Sequence, residues 1–305
     1  MDRAVKEKIK GCWAGKILWY MPMSRLSTLR VGGPAEAVIY PGSQKELAAL
    51  VAALNKAAVS WLVIGRGSNI LAADQGLQGV VIVLGNDFGE IRPLAESGKV
   101  YVEAGCSLAK LTGWCAKHGL SGLEFAVGIP GSVGGAIKMN AGAWGSEIAE
   151  VIEEVGLMDR QGNFYNRSLN RSDFSYRAWH GVGDQVITSG VFNLQQGLPE
   201  AEILARGREL FRKRRVQQPQ GAPSAGSFFK NPPGDAAGRL IEQAGLKGIM
   251  VGGAMVSEVH ANFLVNSGKA TAYDFFRLMR LIQEKVQSQF GVLLEPEVEF
   301  IGHWE

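Results

Sequence analysis

The feature of this 305-residue chain that most limits its fold is a glycine-dense stretch, GIPGSVGGAIKMNAGAWG, which runs from Gly128 to Gly145. Glycine is unfavourable inside helices and strands, but it allows tight turns and close approach of the backbone to a ligand. The chain has 40 glycines, more than the usual share of about 7%, and they cluster rather than repeat. The stretch therefore predicts a loop, followed by a helix, whose backbone N–H groups can approach an anion.

A second glycine loop, GRGSN, spans Gly65 to Asn69 and follows a predicted strand. Neither loop is a dinucleotide fingerprint or a P-loop, because G-x-G-x-x-G would need glycine at Ile70 and no G-K-[ST] follows. A single loop of this kind is more often only a tight turn. Two such loops in one chain indicate a ligand with two phosphates, or two phosphate-bearing ligands.

Composition and length indicate a globular protein, 46% hydrophobic and long enough for two or three domains. Three cysteines without a C-x-x-C pair indicate a reducing, cytoplasmic location. The four histidines lack metal-ligand spacing, so we expect no metal site. Neither a signal peptide nor a run of about 18 apolar residues is found, so we expect no membrane association.

Helix and strand signals are mixed without strict alternation, which predicts an α+β fold. Ser43 and Glu46 form a capping box before a helix, and Thr271 to Phe290 reads as a helix closed by Gly291. A loop rich in Pro, Gln and Gly after the helix EAEILARGRELFRKRRV predicts a domain boundary. The terminal strand VLLEPEVEFIG is expected to return to an earlier domain, because a lone strand needs a sheet to join.

The basic helix RGRELFRKRR leaves two functions open. Its six cations could bind a nucleic acid, or they could form a solvated helix face with cations near the C-terminus. We favour the solvated face, because no aromatic residues interleave the cations for stacking on bases. No nucleic-acid partner is therefore expected. The cations are Arg206, Arg208, Arg212, Lys213, Arg214 and Arg215.

Seven motifs in order carry a resemblance to a known family. They are STLRVGGPA, GRGSNIL, GIPGSVGGAIKMNAGAWG, SYR, AGSFFKNP, HANFLVN and EPEVEFIG, and they cover about Ser24 to Gly302. Each alone is weak, but together they resemble the UDP-N-acetylenolpyruvoylglucosamine reductase (MurB) family of flavoenzymes. The short segment between SYR and AGSFFKNP is similar to the subclass that lacks an inserted loop with a substrate-contacting tyrosine.

The resemblance implies a two-part FAD-binding module of the vanillyl-alcohol-oxidase type and a smaller α+β domain that closes over a UDP-sugar. We predict the two FAD-binding parts at residues 1–85, joined by the terminal strand 292–305, and at residues 86–198. The substrate domain then spans residues 199–291.

The resemblance also implies the reaction, which is that of a UDP-N-acetylmuramate dehydrogenase. NADPH, the co-substrate, reduces FAD, and the flavin N5 passes hydride to C3 of UDP-N-acetylglucosamine enolpyruvate. Protonation at C2 gives UDP-N-acetylmuramate, a peptidoglycan precursor. We expect the enzyme to be a monomer.

Three catalytic residues follow from the matched motifs. Ser227 matches the proton donor; a hydroxyl is a weak acid, but an enolate is basic enough to take its proton without a histidine. From the residues alone, a serine that only turns a loop would be preferred. Arg177 matches the arginine that binds the substrate enolate, and the forked N–H donors of its guanidinium group suit a carboxylate. Glu297 matches the catalytic glutamate; Glu295, Glu297 and Glu299 are expected on one face of a strand.

The binding residues are expected in the same motifs. Asn140 is expected to contact the cofactor or to hold its loop, and His260 to pack or to contact substrate. The predicted cofactor residues are Gly65, Arg66, Gly67, Ser68, Asn69, Gly128, Ile129, Pro130, Gly131, Ser132, Gly134, Gly135, Asn140, Ala141 and Gly142. The predicted substrate residues are Lys230, Asn231 and His260. Phe228 and Phe229 are expected to anchor their loop in a core.

Two alternatives stay open. One is a related FAD-dependent oxidase or dehydrogenase that acts on another small substrate and would lack the pair AGSFFKNP and PEV. The other is a nucleotide-binding regulatory module without turnover. A flavin spectrum separates both enzymes from the module.

Overall fold

A computed structural model describes residues 3–181 and 183–304 of the chain. The helices are α1 (Arg3–Cys12), α2 (Gln44–Lys56), α3 (Leu108–Lys117), α4 (Val133–Lys138), α5 (Glu200–Gln217), α6 (Ala237–Gln243) and α7 (Ala272–Phe290). The strands are β1 (Leu18–Pro22), β2 (Pro34–Ile39), β3 (Trp61–Ile64), β4 (Ile70–Ala72), β5 (Leu77–Val83), β6 (Ile91–Pro93), β7 (Lys99–Glu103), β8 (Leu120–Ser121), β9 (Gly142–Ala143), β10 (Ser146–Glu147), β11 (Ile152–Met158), β12 (Phe164–Ser168), β13 (Phe174–Ser175), β14 (Ala178–Trp179), β15 (Val186–Asn193), β16 (Gln195–Gln196), β17 (Ser224–Ser227), β18 (Met250–Val251), β19 (Ala254–Val256), β20 (Phe263–Asn266) and β21 (Glu299–Ile301). The mixture of helices and strands confirms the predicted α+β class.

The chain divides into two compact units. The first consists of Met1–Leu18, Ala37–Arg66 and Gly79–Lys213, and the second of Trp19–Glu36, Gly67–Gln78 and Arg214–Glu305. Their boundaries differ from the predicted domain limits, because most of α5 belongs to the first unit. The division into three domains therefore stays a prediction.

The first unit contains a five-stranded antiparallel sheet in the order β12-β11-β15-β7-β6. β11 and β12 form an antiparallel hairpin. β3 and β5 run parallel, with β4 and the glycine loop in the connection between them. α2 begins at the predicted cap, where the Ser43 side chain accepts a hydrogen bond from the Glu46 N–H. The predicted capping box is only half formed, because the Glu46 carboxylate accepts from the N–H of Gly42 (2.7 Å) and not from that of Ser43.

The second unit contains a four-stranded antiparallel sheet in the order β17-β20-β19-β18. α6, α7 and this sheet share one buried apolar cluster, which includes Leu240, Leu264, Phe275 and Ile282. The last strand, β21, pairs in parallel with β4. The expected return of the C-terminal strand to an early part of the chain is thus confirmed, although the strand is only three residues long.

The first turn of α7 is capped from two directions. Thr271 and Asp274 form a capping box, in which the Thr271 side chain accepts from the Asp274 N–H. The carboxylate of Asp74 accepts from the N–H groups of Ala272 (2.8 Å) and Tyr273 (2.9 Å). These acceptors satisfy N–H groups that have no partner within the helix, so Asp74 fixes α7 to the segment that follows β4.

Several features are absent from the described residues. No described helix is long and apolar enough to cross a membrane. Among residues 3–181 and 183–304, no group of three His, Cys, Asp or Glu side chains could hold a metal ion.

Cys12, Cys106 and Cys115 are free, and burial raises the pKa of Cys106 to about 11 and that of Cys115 to about 12. These two thiols are therefore protonated and unreactive near neutral pH.

Replacing Asp74 by alanine should lower the free energy of unfolding by about 1–2 kcal/mol, because two N–H groups of α7 lose their acceptor. Urea unfolding followed by circular dichroism measures this loss. Asp74→Asn keeps an oxygen acceptor and should lose less. Glu284→Ala, an exposed position on the same helix, is the control, and equal losses in Asp74→Ala and Glu284→Ala would contradict the capping role.

Candidate active site

Ser227, the predicted proton donor, lies at the end of β17, directly after Gly226 in the left-handed region (φ 78°). β17 pairs with β20 through Ser224↔Val265 and Ser227↔Phe263, so β17 has one extra residue between these pairs. A bulge of this kind changes the direction of the side chain that follows. Ser227 is half-buried as a result, so its hydroxyl remains within reach of a ligand.

Phe228 and Phe229, which follow the serine, have no exposed surface. The ring centroid of Phe228 lies 5.5 Å from that of Phe229 and 6.5 Å from those of Phe275 and Phe300. The prediction that the two phenylalanines anchor the loop in a core is confirmed. They hold Ser227 at the rim of the apolar cluster of the second unit.

Glu297 is brought to the serine by the backbone. Its N–H donates to the carbonyl of Phe228 (2.8 Å), and the N–H of Lys230 donates to the carbonyl of Glu295 (2.8 Å). Ser227 and Glu297 therefore lie on adjacent segments of one unit, although 70 positions separate them in the sequence. The Glu297 side chain is half-buried.

The prediction that Glu295, Glu297 and Glu299 share one face of a strand is wrong. Only Glu299–Ile301 forms a strand, and Pro296 makes an isolated bridge. Proline has no N–H for a sheet ladder, which limits the strand at this point. Glu295 is exposed whereas Glu297 is half-buried, so the two carboxylates have different surroundings.

Asn69, predicted to bind the cofactor, has a role that the sequence did not indicate. Its Nδ2 donates to the carbonyl of Glu297 (3.0 Å), and its backbone carbonyl accepts from the N–H of Glu299 (3.0 Å). Asn69 thus holds the segment that carries the predicted catalytic glutamate.

Lys230 and Asn231, predicted to bind the substrate, also contact neighbouring parts of the second unit. Lys230 Nζ lies 3.5 Å from a carboxylate oxygen of Glu295, in a partly exposed pair. The Asn231 side-chain oxygen accepts from the N–H of Ala237 (3.0 Å), so it caps the start of α6. Substrate contacts by both residues stay predictions.

His260 has a packing role. Its Nδ1 accepts a hydrogen bond from the N–H of Asn262 (3.2 Å), and its ring makes an edge contact with Phe263 at 5.0 Å. Burial lowers the pKa of His260 below its ordinary value of 6.5, so the ring is neutral at pH 7. An accepting Nδ1 places the proton on Nε2, which gives the ring a donor. A substrate contact through that donor stays a prediction.

Gly65 of one glycine loop and Ser132 of the other lie in contact in the first unit. A Cβ on Gly65 would overlap the hydroxyl of Ser132, which is buried and caps α4 by accepting from the Gly135 N–H (3.4 Å). Within the described part of the chain, the backbone N–H groups of Arg66 and Gly131 form no hydrogen bond. The paired loops therefore present free donors close together, which fits the predicted phosphate site.

Other glycines in these motifs are required by packing. Gly67 has a positive φ of 61°, and a Cβ there would overlap the carbonyl oxygen of Leu26. A Cβ on Gly134 would lie 2.9 Å from the Cβ of Ala104. For these positions the simpler explanation, a tight turn or a close contact, is sufficient. Cofactor contacts by the remaining predicted residues, Ser68, Gly128, Ile129, Pro130, Ala141 and Gly142, stay predictions.

Asn140 is fully buried, with φ at 40°. Its side-chain oxygen accepts from the N–H of Ala149 (3.0 Å), and its Nδ2 donates to the carbonyl of Ser175 (3.1 Å). Of the two roles predicted for Asn140, these contacts support the second, which is to hold a loop. Ser175 belongs to the hairpin that carries Arg177, so Asn140 fixes the base of that hairpin.

Arg177 occupies the turn between β13 and β14 with a positive φ of 58°. This conformation costs a non-glycine residue about 1–2 kcal/mol, and such strain clusters at functional sites. Its guanidinium carbon lies 5.0 Å from the ring centre of Tyr176. The strain supports a functional role for Arg177, which belongs to the first unit, whereas Ser227 and Glu297 belong to the second.

The basic helix α5 is only partly the solvated face that we expected. Arg206 pairs with Glu202 (2.6 Å) on its exposed side. Arg214 is half-buried, and its Nε and Nη2 are shielded from solvent with no hydrogen bond to any described residue. Burial lowers the pKa of Arg214. The solvated interpretation is therefore wrong for Arg214.

Helical spacing contains a signal for this burial. Arg214 follows Ile203 and Gly207 by 11 and 7 residues, which places all three on one face, and both of the others are buried. Phe211 is 42% exposed among the arginines, so the statement that no aromatic residue interleaves the cations is also wrong. The absence of a nucleic-acid partner stays a prediction.

Two family models match the sequence. Residues 218–301 match the C-terminal domain of UDP-N-acetylenolpyruvoylglucosamine reductase, and residues 35–167 match an FAD binding domain. The first segment contains Ser227 and Glu297. The second contains both glycine loops.

Similar proteins are named UDP-N-acetylenolpyruvoylglucosamine reductase. A UDP-N-acetylenolpyruvoylglucosamine reductase of Caldanaerobacter subterraneus is 42% identical over 94% of both chains. That of Desulfosudis oleivorans is 41% identical over 99% of this chain and 100% of its own. The solved structure of the enzyme (MurB) from Thermus caldophilus is 37% identical, with a TM-score of 0.79 over 94% of this chain and 98% of its own.

A more distant structure shares the fold alone. A Phl p 4 variant, described as a glucose oxidase, is 16% identical, with a TM-score of 0.51 over 72% of this chain and 50% of its own. Together with the FAD binding domain match, these similarities confirm the predicted fold class.

Gly65→Ala should lower the affinity for FAD by about tenfold or more, because overpacking of about 1–3 kcal/mol displaces Ser132 from its cap. Flavin titration of the apoprotein measures the affinity. The double variant Gly65→Ala/Ser132→Gly removes the overlapping hydroxyl and should recover much of the loss. Wild-type affinity in Gly65→Ala would show that flavin binding does not depend on this contact.

Proposed function

We propose, since the chain belongs to the UDP-N-acetylenolpyruvoylglucosamine reductase (MurB) family, that it reduces UDP-N-acetylglucosamine enolpyruvate to UDP-N-acetylmuramate. NADPH is the reductant and the product is a peptidoglycan precursor. The observation that carries the proposal is the backbone hydrogen bond from Glu297 to Phe228 (2.8 Å). It joins the segment that carries Glu297 to the segment that carries Ser227, in a chain with an FAD-binding fold.

FAD is the cofactor, and the contact between the two glycine loops supports a site for its diphosphate there. The free N–H groups of Arg66 and Gly131 would donate to phosphate oxygens, with Gly65 and Ser132 keeping the two loops in contact. When bound, FAD supplies the hydride that NADPH provides. The chain itself contributes the binding of both ligands and the proton.

Ser227 acts as the proton donor in this proposal. Hydride addition to C3 of the enolpyruvyl group leaves negative charge on C2 and the carboxylate. That carbon is a strong base, so a serine hydroxyl can protonate it. The bulge at Gly226 directs Ser227 out of the core, and the two buried phenylalanines fix the backbone behind it. A positioned donor accelerates such a step by about 10²–10⁴-fold.

Arg177 and Glu297 act on the negative charge that forms on the substrate. We assign Arg177 to the carboxylate, because a guanidinium fork matches two oxygens and can stabilise developing charge. Glu297 orients a reacting group or stabilises the charged intermediate. Its backbone is held from both sides, by Asn69 and by Phe228.

Arg214 supplies a further site for an anion. Two of its guanidinium nitrogens are shielded from water and have no hydrogen bond to the described residues. Its Nη1 donates to the side-chain oxygen of Gln218 (3.4 Å). Shielded guanidinium nitrogens without an acceptor are costly, and a phosphate or carboxylate would satisfy the other two. We therefore assign Arg214 to an anionic group of a bound ligand, either FAD or the UDP-sugar.

We also propose a cytosolic monomer that binds no nucleic acid and prefers NADPH to NADH. Free cysteines support a reducing compartment. The nicotinamide preference rests on the family alone. Light scattering tests the monomer. Steady-state kinetics with NADPH and NADH test the nicotinamide preference.

The competing function is an FAD-dependent oxidase or dehydrogenase with another small substrate. The fold shared with the Phl p 4 variant permits it, but the matched C-terminal domain with Ser227 favours the reductase. Anaerobic reduction by NADPH, followed by addition of UDP-N-acetylglucosamine enolpyruvate, separates the two. Return of the oxidised flavin spectrum supports the reductase, and a persistent reduced spectrum rejects it.

Ser227→Ala should slow flavin reoxidation by the enolpyruvyl substrate at least about 10²-fold, because the carbon loses its proton donor. Reduction by NADPH should be unchanged, since it needs no proton on carbon. Stopped-flow spectroscopy measures both half-reactions. Ser224→Ala, at the other end of β17, is the control, and equal slowing of both half-reactions by Ser227→Ala would point to folding or binding instead.

Arg214→Gln should weaken binding of one anionic ligand by about tenfold to hundredfold, from the loss of charged hydrogen bonds worth about 1.5–3 kcal/mol. Lower flavin affinity would identify FAD as the ligand, and a higher KM with full flavin content would identify the substrate. Arg215→Gln, at the exposed neighbouring position, is the matched control. Wild-type values for both quantities in Arg214→Gln would reject the assignment.

A further inference from the structure

One buried amide side chain, that of Asn262, holds the backbone directly after Ser227. Its oxygen accepts from the N–H of Phe229 (2.9 Å), and its Nδ2 donates to the carbonyl of Phe229 (2.8 Å). Its own backbone carbonyl accepts from the N–H of Phe228 (2.7 Å). Asn262 is only 3% exposed, so these bonds are shielded from competition with water.

The same segment is bonded on its other side to the chain around Glu297. The carbonyl of Phe228 accepts from the Glu297 N–H, and Phe229 forms a bridge with Pro296. A displacement of Phe228 and Phe229 would therefore move the serine before them and the glutamate beside them together.

Asn262 stands where the regular sheet ends. The ladder between β17 and β20 stops at Ser227↔Phe263, and the chain beyond turns toward the C-terminal segment. The amide replaces the peptide group that a continued strand would have offered. Asparagine supplies both a donor and an acceptor at this reach, whereas aspartate lacks the donor and leucine lacks both.

Burial of the two phenylalanine rings cannot fix the backbone position as these hydrogen bonds do. The hydrophobic effect is non-directional, and it tolerates small shifts of the backbone. Proton transfer requires the hydroxyl to be placed within about 0.5 Å. Directional hydrogen bonds to the backbone meet that requirement.

We infer that Asn262 is a positioning residue for the proton transfer, acting through the backbone of Phe228 and Phe229 on Ser227 and Glu297. This inference rests on the proposed function. Asn262 itself need not touch the substrate.

The test is a double-mutant cycle on reoxidation of the NADPH-reduced holoenzyme by UDP-N-acetylglucosamine enolpyruvate. Asn262→Leu should slow reoxidation by about tenfold to hundredfold, with flavin reduction and substrate KM within about threefold of wild type. In a Ser227→Ala background the same change should slow reoxidation by clearly less than in the wild-type background, because residues that act as a unit are not additive. Asn262→Asp, which keeps only the acceptor, offers a second variant if Asn262→Leu does not fold.

The control is Asn266→Leu, which removes a buried amide at the end of β20, bonded to the Leu29 carbonyl (3.0 Å). It should lower stability without slowing reoxidation. Full additivity of the Asn262 and Ser227 changes, or equal slowing by Asn266→Leu, would overturn the inference. Failure of the wild-type enzyme to reoxidise with this substrate would instead reject the proposed function.

Discussion

The second unit depends on the complete burial of two consecutive phenylalanines, Phe228 and Phe229. Their rings contact each other edge to face, with 5.5 Å between the centroids, so the core closes around both of them. Water cannot reach the peptide groups between the rings, and they need protein partners. Asn262 supplies them on one side and Glu297 on the other. The burial of the rings thus dictates which polar groups stand next to Ser227.

Local signals predicted much of the fold. Helix ends at Ser43, Thr271 and Gly291 were readable because a cap involves residues within one turn of the chain. The core role of the two phenylalanines was predictable from their size and apolar character. The catalytic triplet could be proposed only from the resemblance, since no local pattern around Ser227, Arg177 or Glu297 specifies chemistry.

Features that depend on distant contacts were missed. Gly67 looks like Gly65 in the sequence, yet it is needed against Leu26, whereas Gly65 is needed against Ser132. The acidic terminal segment has the alternation of a strand, but Pro296 and the bond to Phe228 make its central part irregular. The burial of Arg214 was readable from helical spacing, but the excess of charge around it concealed that signal.

Three asparagine amides fix the segments that carry the proposed chemistry. Asn69 holds Glu297, Asn140 holds the hairpin of Arg177, and Asn262 holds the backbone behind Ser227. An amide offers one donor and one acceptor function without net charge. A carboxylate in the same place would repel the phosphates and carboxylate of the proposed ligands. Because these amides carry no charge, the electric field on the reacting atoms comes from the residues that act on the substrate.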